Sequence, residues 1–207
     1  MGQFQSSIHT RPTLLIRLKN PEDQKSWQEF YDTYWRMIYG LAIRSGLTDT
    51  EAQDVLQETI ITVANQMPGF HYDRSLGTFK GWLLTIARSK VIDSLRKIRR
   101  DRARLAPKTT THRTSSVERI PDPASLDFDA IWDQQWKEGI YEAAVDRIRD
   151  KISPKQFQLF DCYVRKHWPA ATVAQLLGVP VRQVHLAKFR VTKMLTQEAR
   201  KLEARNS

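Results

Sequence analysis

Cysteine is nearly absent from this chain: Cys162 is the only one in 207 residues, which excludes an internal disulfide and any cysteine-rich zinc site. It falls in the apolar pattern of its segment and reads as a core thiol. Long apolar runs are missing as well. No stretch approaches the roughly 20 apolar residues that cross a bilayer, and the start, Met1-Gly2-Gln3-Phe4-Gln5, lacks the charged-then-apolar layout of a secretory signal. A cytoplasmic protein without membrane insertion is expected. Histidines are scattered, at 9, 71, 112, 167 and 185, and the chain shows no paired carboxylates at metal spacing, phosphate-cradling glycine loop or nucleophile elbow. No catalytic residue, metal ligand or cofactor site is assigned, and an enzyme is not expected. Strand patterns are lacking throughout.

Positive charge is abundant. The chain carries 33 basic and 23 acidic residues, a formal net charge of +10, and such an excess favours a polyanionic partner. The excess is concentrated in two places. Between Arg88 and Arg104 stand eight basic residues against Asp93 and Asp101, and between Arg182 and Arg205 seven against Glu198 and Glu203.

Both concentrations fall on helices. Trp27, Phe30, Tyr31, Tyr34, Ile38, Leu41 and Ala42 recur at three- and four-residue steps, which predicts a helix over 25–44 with an aromatic buried face. Thr48 with Glu51 forms a capping box for a second helix, whose apolar side is Ala52, Val55, Leu56, Thr59, Ile60 and Val63. A loop over 70–77 leads to a third helix from about Thr78, with Phe79, Leu83, Ile86, Ala87 and Leu95 inward. Thr, Ser and Pro then dominate 106–127, the composition of a flexible linker whose downstream part turns acidic. Helical pattern returns with Phe128, Ile131, Trp132, Trp136, Ile140, Ala144 and Ile148, and Ser153-Pro154 opens a further helix. The expected fold is all-α. It comprises an N-terminal extension (1–24) and two small helical domains (25–105 and 128–207) joined by the linker.

The second domain ends in a helix-turn-helix pattern. Val173, Ala174 and Leu177 stripe one helix, Gly178 suits the turn, and Val184, Ala187, Val191 and Leu195 stripe the next. Left outward are Arg182, Gln183, His185, Leu186, Phe189, Arg190 and Lys193, a mixture of cations, base-edge donors and apolar groups suited to a DNA major groove.

The order of these parts resembles the bacterial RNA polymerase sigma factors of the compact extracytoplasmic-function type, over nearly the whole chain from Lys25 to Leu202. The segment Asp54-Val-Leu-Gln57-Glu58-Thr-Ile-Ile-Thr-Val63 is similar to the family helix that docks on the polymerase clamp, which implies polymerase contacts by Asp54, Gln57 and Glu58. Phe79 through Lys97 looks like the promoter-melting helix. The resemblance places Tyr72, Arg74, Ser75, Trp82, Ser89, Lys90, Arg96, Lys97 and Arg100 near the melted downstream element, where unstacked bases need apolar groups and cations. Ser89 stands where the family usually has Asn, and Pro180 where a Ser is frequent, which implies an altered promoter preference. The implied function is transcription initiation: binding core RNA polymerase, recognising promoter DNA and melting it, as a monomer within the holoenzyme. The acidic end of the linker, with Asp127, Asp129 and Asp133, is expected to hold basic walls of the polymerase cleft. An anti-sigma factor is a further partner that the sequence leaves open. Two other readings stay open: an autonomous helix-turn-helix regulator that binds operators without polymerase, and a recombinase- or nuclease-like enzyme.

Overall fold

The computed structural model describes residues 14–70, 78–105 and 121–204, and among them every regular element is helical. The order is α1 (Leu14–Arg17), α2 (Gln24–Arg44), α3 (Asp49–Gln66), α4 (Phe79–Leu105), α5 (Phe128–Arg149), α6 (Pro154–Phe160), α7 (Ala170–Leu176) and α8 (Val181–Ala204). A π turn, Asp161–Arg165, continues α6. The expected all-α fold is thus observed.

Local chemistry sets the helix starts. Asp23 accepts from the Ser26 backbone N–H at 3.0 Å and so caps α2. Thr48 and Glu51 form both halves of the capping box on α3. Thr78 Oγ1 accepts from the Gly81 N–H at 3.1 Å at the entrance to α4, and Ser153 Oγ from the Gln156 N–H at 3.2 Å in α6. Each cap satisfies a backbone donor that the helix itself leaves unpaired.

Packing then builds two cores. The larger runs through α2, α3, α4 and α5 and into the C-terminal half of α8. The smaller, Leu159, Cys162, Val173, Ala174, Val184 and Ala187, lies beneath α6, α7 and the first turns of α8. An aromatic seam joins α2, α4 and α5: the Tyr34 ring lies 5.5 Å from Phe79 and 5.6 Å from Trp136, which is itself 5.8 Å from Trp132. One expectation fails here. Tyr31, assigned to the buried face of α2, is 40% exposed and stacks on Trp35 at 6.4 Å, because the aromatic stripe of this helix is wider than the surface its neighbours cover.

Helices α2 and α5 approach through their glycines. A Cβ on Gly139 would stand 2.4 Å from Met37 Cγ, and one on Gly40 1.7 Å from Gln135 Oε1. Neither position has room for a side chain without movement of its neighbour. Helix α5 is consequently buried on more than one side, with Phe128, Trp132, Gln135, Trp136, Gly139 and Ile140 all covered.

A charged cluster closes the far end of this assembly. Arg147 on α5 pairs with Glu29 on α2 at 2.8 Å and with Glu198 on α8 at 3.7 Å, and Lys151 lies 3.2 Å from Glu198. Burial raises the Glu198 pKa, but the hydrogen bond and charge of Lys151, helped by Lys201 and Arg147, outweigh it and hold the carboxyl below the usual glutamate range. A depressed carboxylate stabilises the fold above its unfolded pKa and loses that contribution as pH falls through the folded value. Glu198→Gln is accordingly expected to cost about 1.5–3 kcal/mol at neutral pH, the range for a hydrogen bond to a charged group. The difference from wild type should close in acid. Urea titrations of both proteins at the two pH values measure it, and a pH-independent gap would remove the ion cluster as the cause.

Candidate nucleic-acid and polymerase interfaces

Helix α3 presents Gln53, Asp54, Gln57 and Glu58 on its exposed side, while Ala52, Val55, Leu56, Thr59 and Val63 are buried. Ile61 belongs to the same outer face and is 52% exposed. Its position, four residues after Gln57, puts it one turn further along that surface. Ile61 lies within the segment likened to the clamp-docking helix but is not among the contacts which that resemblance implies. The patch is therefore acid, amide and one bare aliphatic group.

Helix α4 carries the first cationic surface. Ser89, Arg96, Lys97 and Arg100 are exposed, and Lys90 is half-buried. Lys90 Nζ lies 3.7 Å from Glu58 Oε2, so the outer face of α3 and the cationic helix adjoin. Trp82 is half-buried in an aromatic cluster, its ring 4.4 Å from Phe70 and 5.5 Å from Phe79. Tyr72, Arg74 and Ser75 lie outside the described residues. A recess of about 500 Å³ along α4 is lined by Arg88, Ser89, Ile92, Asp93 and Arg96, and also by Asp129 from α5.

The second cationic surface belongs to α7 and α8. Gly178, at φ +60°, makes the sharp turn between them, a left-handed conformation that L side chains resist. Val184, Ala187, Val191 and Leu195 are buried, and Arg182, Gln183, His185, Leu186, Phe189, Arg190 and Lys193 are all exposed. Phe189 is 67% exposed, more than any other aromatic side chain among the exposed large hydrophobics. The two flanks of α8 differ. On one, the His185 ring meets Tyr163 edge-on at 5.4 Å and the Lys188 ammonium lies 5.4 Å from the same ring. On the other, Arg182, Gln183, Leu186 and Arg190 share a groove of about 520 Å³ with Ser153, Lys155 and Gln156 of α6 and its cap. Three cations and no acid line that groove. Lys155 is far from α8 in sequence, and only the packing of α6 brings it there.

Among the described residues no group of His, Cys, Asp and Glu could hold a metal ion, and no helix is long and apolar enough to cross a membrane. Cys162 is buried in the smaller core.

The match to a known family falls on the first of these surfaces. Residues 30–101, from α2 through most of α4, match the family model for sigma-70 region 2. Two curated relatives are similar to part of the chain. One is the ECF RNA polymerase sigma factor RpoE of Cereibacter sphaeroides, 28% identical over 86 residues, which are 42% of this chain and 46% of the relative. The other is the ECF RNA polymerase sigma factor SigX of Bacillus subtilis, 33% identical over 82 residues, 40% of this chain and 41% of the relative. The chain thus aligns with less than half the length of either relative. Residues 30–101 are thus similar to sigma-70 region 2, and this match together with the two relatives supports a sigma factor of the extracytoplasmic-function type.

Proposed function

We propose that this chain is a transcription initiation factor that binds core RNA polymerase, recognises promoter DNA at two elements and melts the downstream one. The observation that carries the reading is the presence of two separate cationic surfaces, on α4 and on α8, beside an exposed acid–amide face on α3 within the region 2 match. A protein of net charge +10 gains little from another cation at a protein contact, whereas Asp54, Gln57 and Glu58 offer acceptors to a basic clamp. The polymerase supplies the nucleotide chemistry. This chain supplies recognition, and two weak DNA contacts held on one enzyme surface act with the strength of their combination.

In this reading the units 25–105 and 128–207 engage separate stretches of promoter, with Arg96, Lys97 and Arg100 on the melted strand and α8 in the major groove of the upstream element. Transcription from genomic fragments with purified core polymerase, followed by start-site mapping, is the test. Specific starts that require the chain support it; tight specific DNA binding without polymerase, and no starts, supports an autonomous regulator instead.

The groove between α6 and α8 separates base contacts from phosphate contacts. Arg182→Ala is expected to cost about 1–3 kcal/mol of discrimination at the upstream element, the range for a good base contact. Lys155→Ala should weaken binding evenly across sequences and reduce the salt slope by about 1. Holoenzyme binding to matched and mismatched promoters at several salt concentrations distinguishes the two, and identical effects of both substitutions would contradict the assignment.

A further inference from the structure

The acidic beginning of α5, together with the residues just before it, lies along the cationic helix α4. Arg99 Nη1 is 3.4 Å from Asp122 Oδ1. The Arg88 guanidinium stands 5.1 Å from the centre of the Phe128 ring. Asp129 lines the same recess as Ser89 and Arg96. Lys80 Nζ is 2.5 Å from Asp133 Oδ1, and Trp132 Nε1 donates to the Lys80 carbonyl at 3.1 Å. The order of these contacts is antiparallel: as the chain advances from 122 to 133, its partners retreat from 99 to 80, a stretch of roughly 28 Å of helix.

The composition of the strip matches its position. Residues 122–133 contain four aspartates and no basic side chain. Asp127 accepts from the Ala130 N–H and so caps α5, while Asp122, Asp129 and Asp133 are set against α4. The Lys80 hydrogen bond and charge hold the Asp133 carboxyl below the usual aspartate range. Phe128 and Trp132, both buried, fix the strip by apolar contact. Its ion pairs are solvent-exposed and individually weak. Such a strip is held in register, yet its charged contacts can be exchanged for others without a large barrier.

We propose that residues 122–133 act as an internal stand-in for nucleic acid, their carboxylates occupying the α4 flank around Arg96 and Arg99 in the free chain, so that single-stranded DNA reaching that flank must displace the acidic side chains while Phe128 and Trp132 stay in the core. This rests on the reading of α4 as the melted-strand surface. Lys97 and Arg100, outside the covered flank, give an incoming strand its first hold. Of the acids expected to face polymerase walls, Asp133 is paired with Lys80 and Asp127 caps α5 within the chain itself.

The test uses the full chain without polymerase and a fluorescent single-stranded deoxyoligonucleotide followed by anisotropy. Asp122→Asn, Asp129→Asn and Asp133→Asn together are expected to tighten binding about tenfold or more at low salt. A control of equal charge change elsewhere, Glu22→Gln, Asp32→Asn and Asp150→Asn, should give a clearly smaller gain. Equal gains would mean that net charge alone acts, and would overturn the proposal. Adding Lys97→Ala and Arg100→Ala to the strip variant should abolish its gain. If the strip variant gains nothing while Lys97→Ala with Arg100→Ala weakens wild-type binding, the stand-in is refuted and the α4 reading survives. If those α4 substitutions change nothing in either background, the reading itself fails and takes the proposal with it. Arg99→Cys with Asp122→Cys, bridged by a short bismaleimide, provides a second measure in one folded protein. The bridged form is expected to bind at least severalfold more weakly than the unbridged form, and equal binding overturns the proposal.

Discussion

Asp54→Ala combined with Gln57→Ala is expected to abolish co-purification of the chain with core RNA polymerase. Both side chains are exposed on the outer face of α3, so their removal opens no cavity and should change stability by no more than about 0.5 kcal/mol each. A loss of polymerase binding at unchanged thermal stability then reports an interface and not a fold. Truncating two interface anchors of about 2 kcal/mol each would weaken binding roughly a thousandfold. Ile61 sharpens the experiment. It is bare and aliphatic on the same face, and Ile61→Glu places an ionised carboxylate where a partner would have to desolvate it. Retained polymerase binding in both variants would remove α3 from the interface and with it the central support of the proposed function.

Trp132→Ala is expected to destabilise the fold by about 3–5 kcal/mol, the range for truncating a buried aromatic side chain. Trp132 is 1% exposed, packs on Trp136, and donates its Nε1–H to the Lys80 carbonyl at 3.1 Å. It joins α5 to α4, so its loss should loosen that contact before the rest of the fold. Trp132→Phe separates the contributions, since it retains most of the ring and gives up the hydrogen bond, a loss of about 1 kcal/mol. Chemical denaturation of the three proteins measures the series. If alanine and phenylalanine cost the same, the hydrogen bond and not the packing would dominate, contrary to the geometry.

Much of the site could be read in advance because it depends on local rules. The outward set on α8 follows from Val184, Ala187, Val191 and Leu195 turning inward, and a helical period fixes the remainder. Asp54, Gln57 and Glu58 are outward for the same reason. Periodicity was less informative for Tyr31, since a stripe of aromatic residues says which side of a helix is apolar and not how much of it a neighbour will cover. It was blind to Lys155, whose place beside Arg182 and Arg190 depends on how α6 crosses α8. It also offered no hint that Asp122 and Asp133 would meet Arg99 and Lys80, because pairs separated by that much chain are chosen by the docking of whole helices.

The residues by themselves determined the helices, their caps at Asp23, Thr48 and Ser153, the turn at Gly178 and the two concentrations of positive charge. All of these are interactions between near neighbours, decided by backbone sterics and hydrogen bonding within a few residues. Tertiary structure alone decided that α5 lies against α2, through Gly40 and Gly139, and presents its acidic start to α4. In a sequence those glycines read only as weak points in a helix, and it takes two helices meeting at the same depth to turn the missing side chains into a contact.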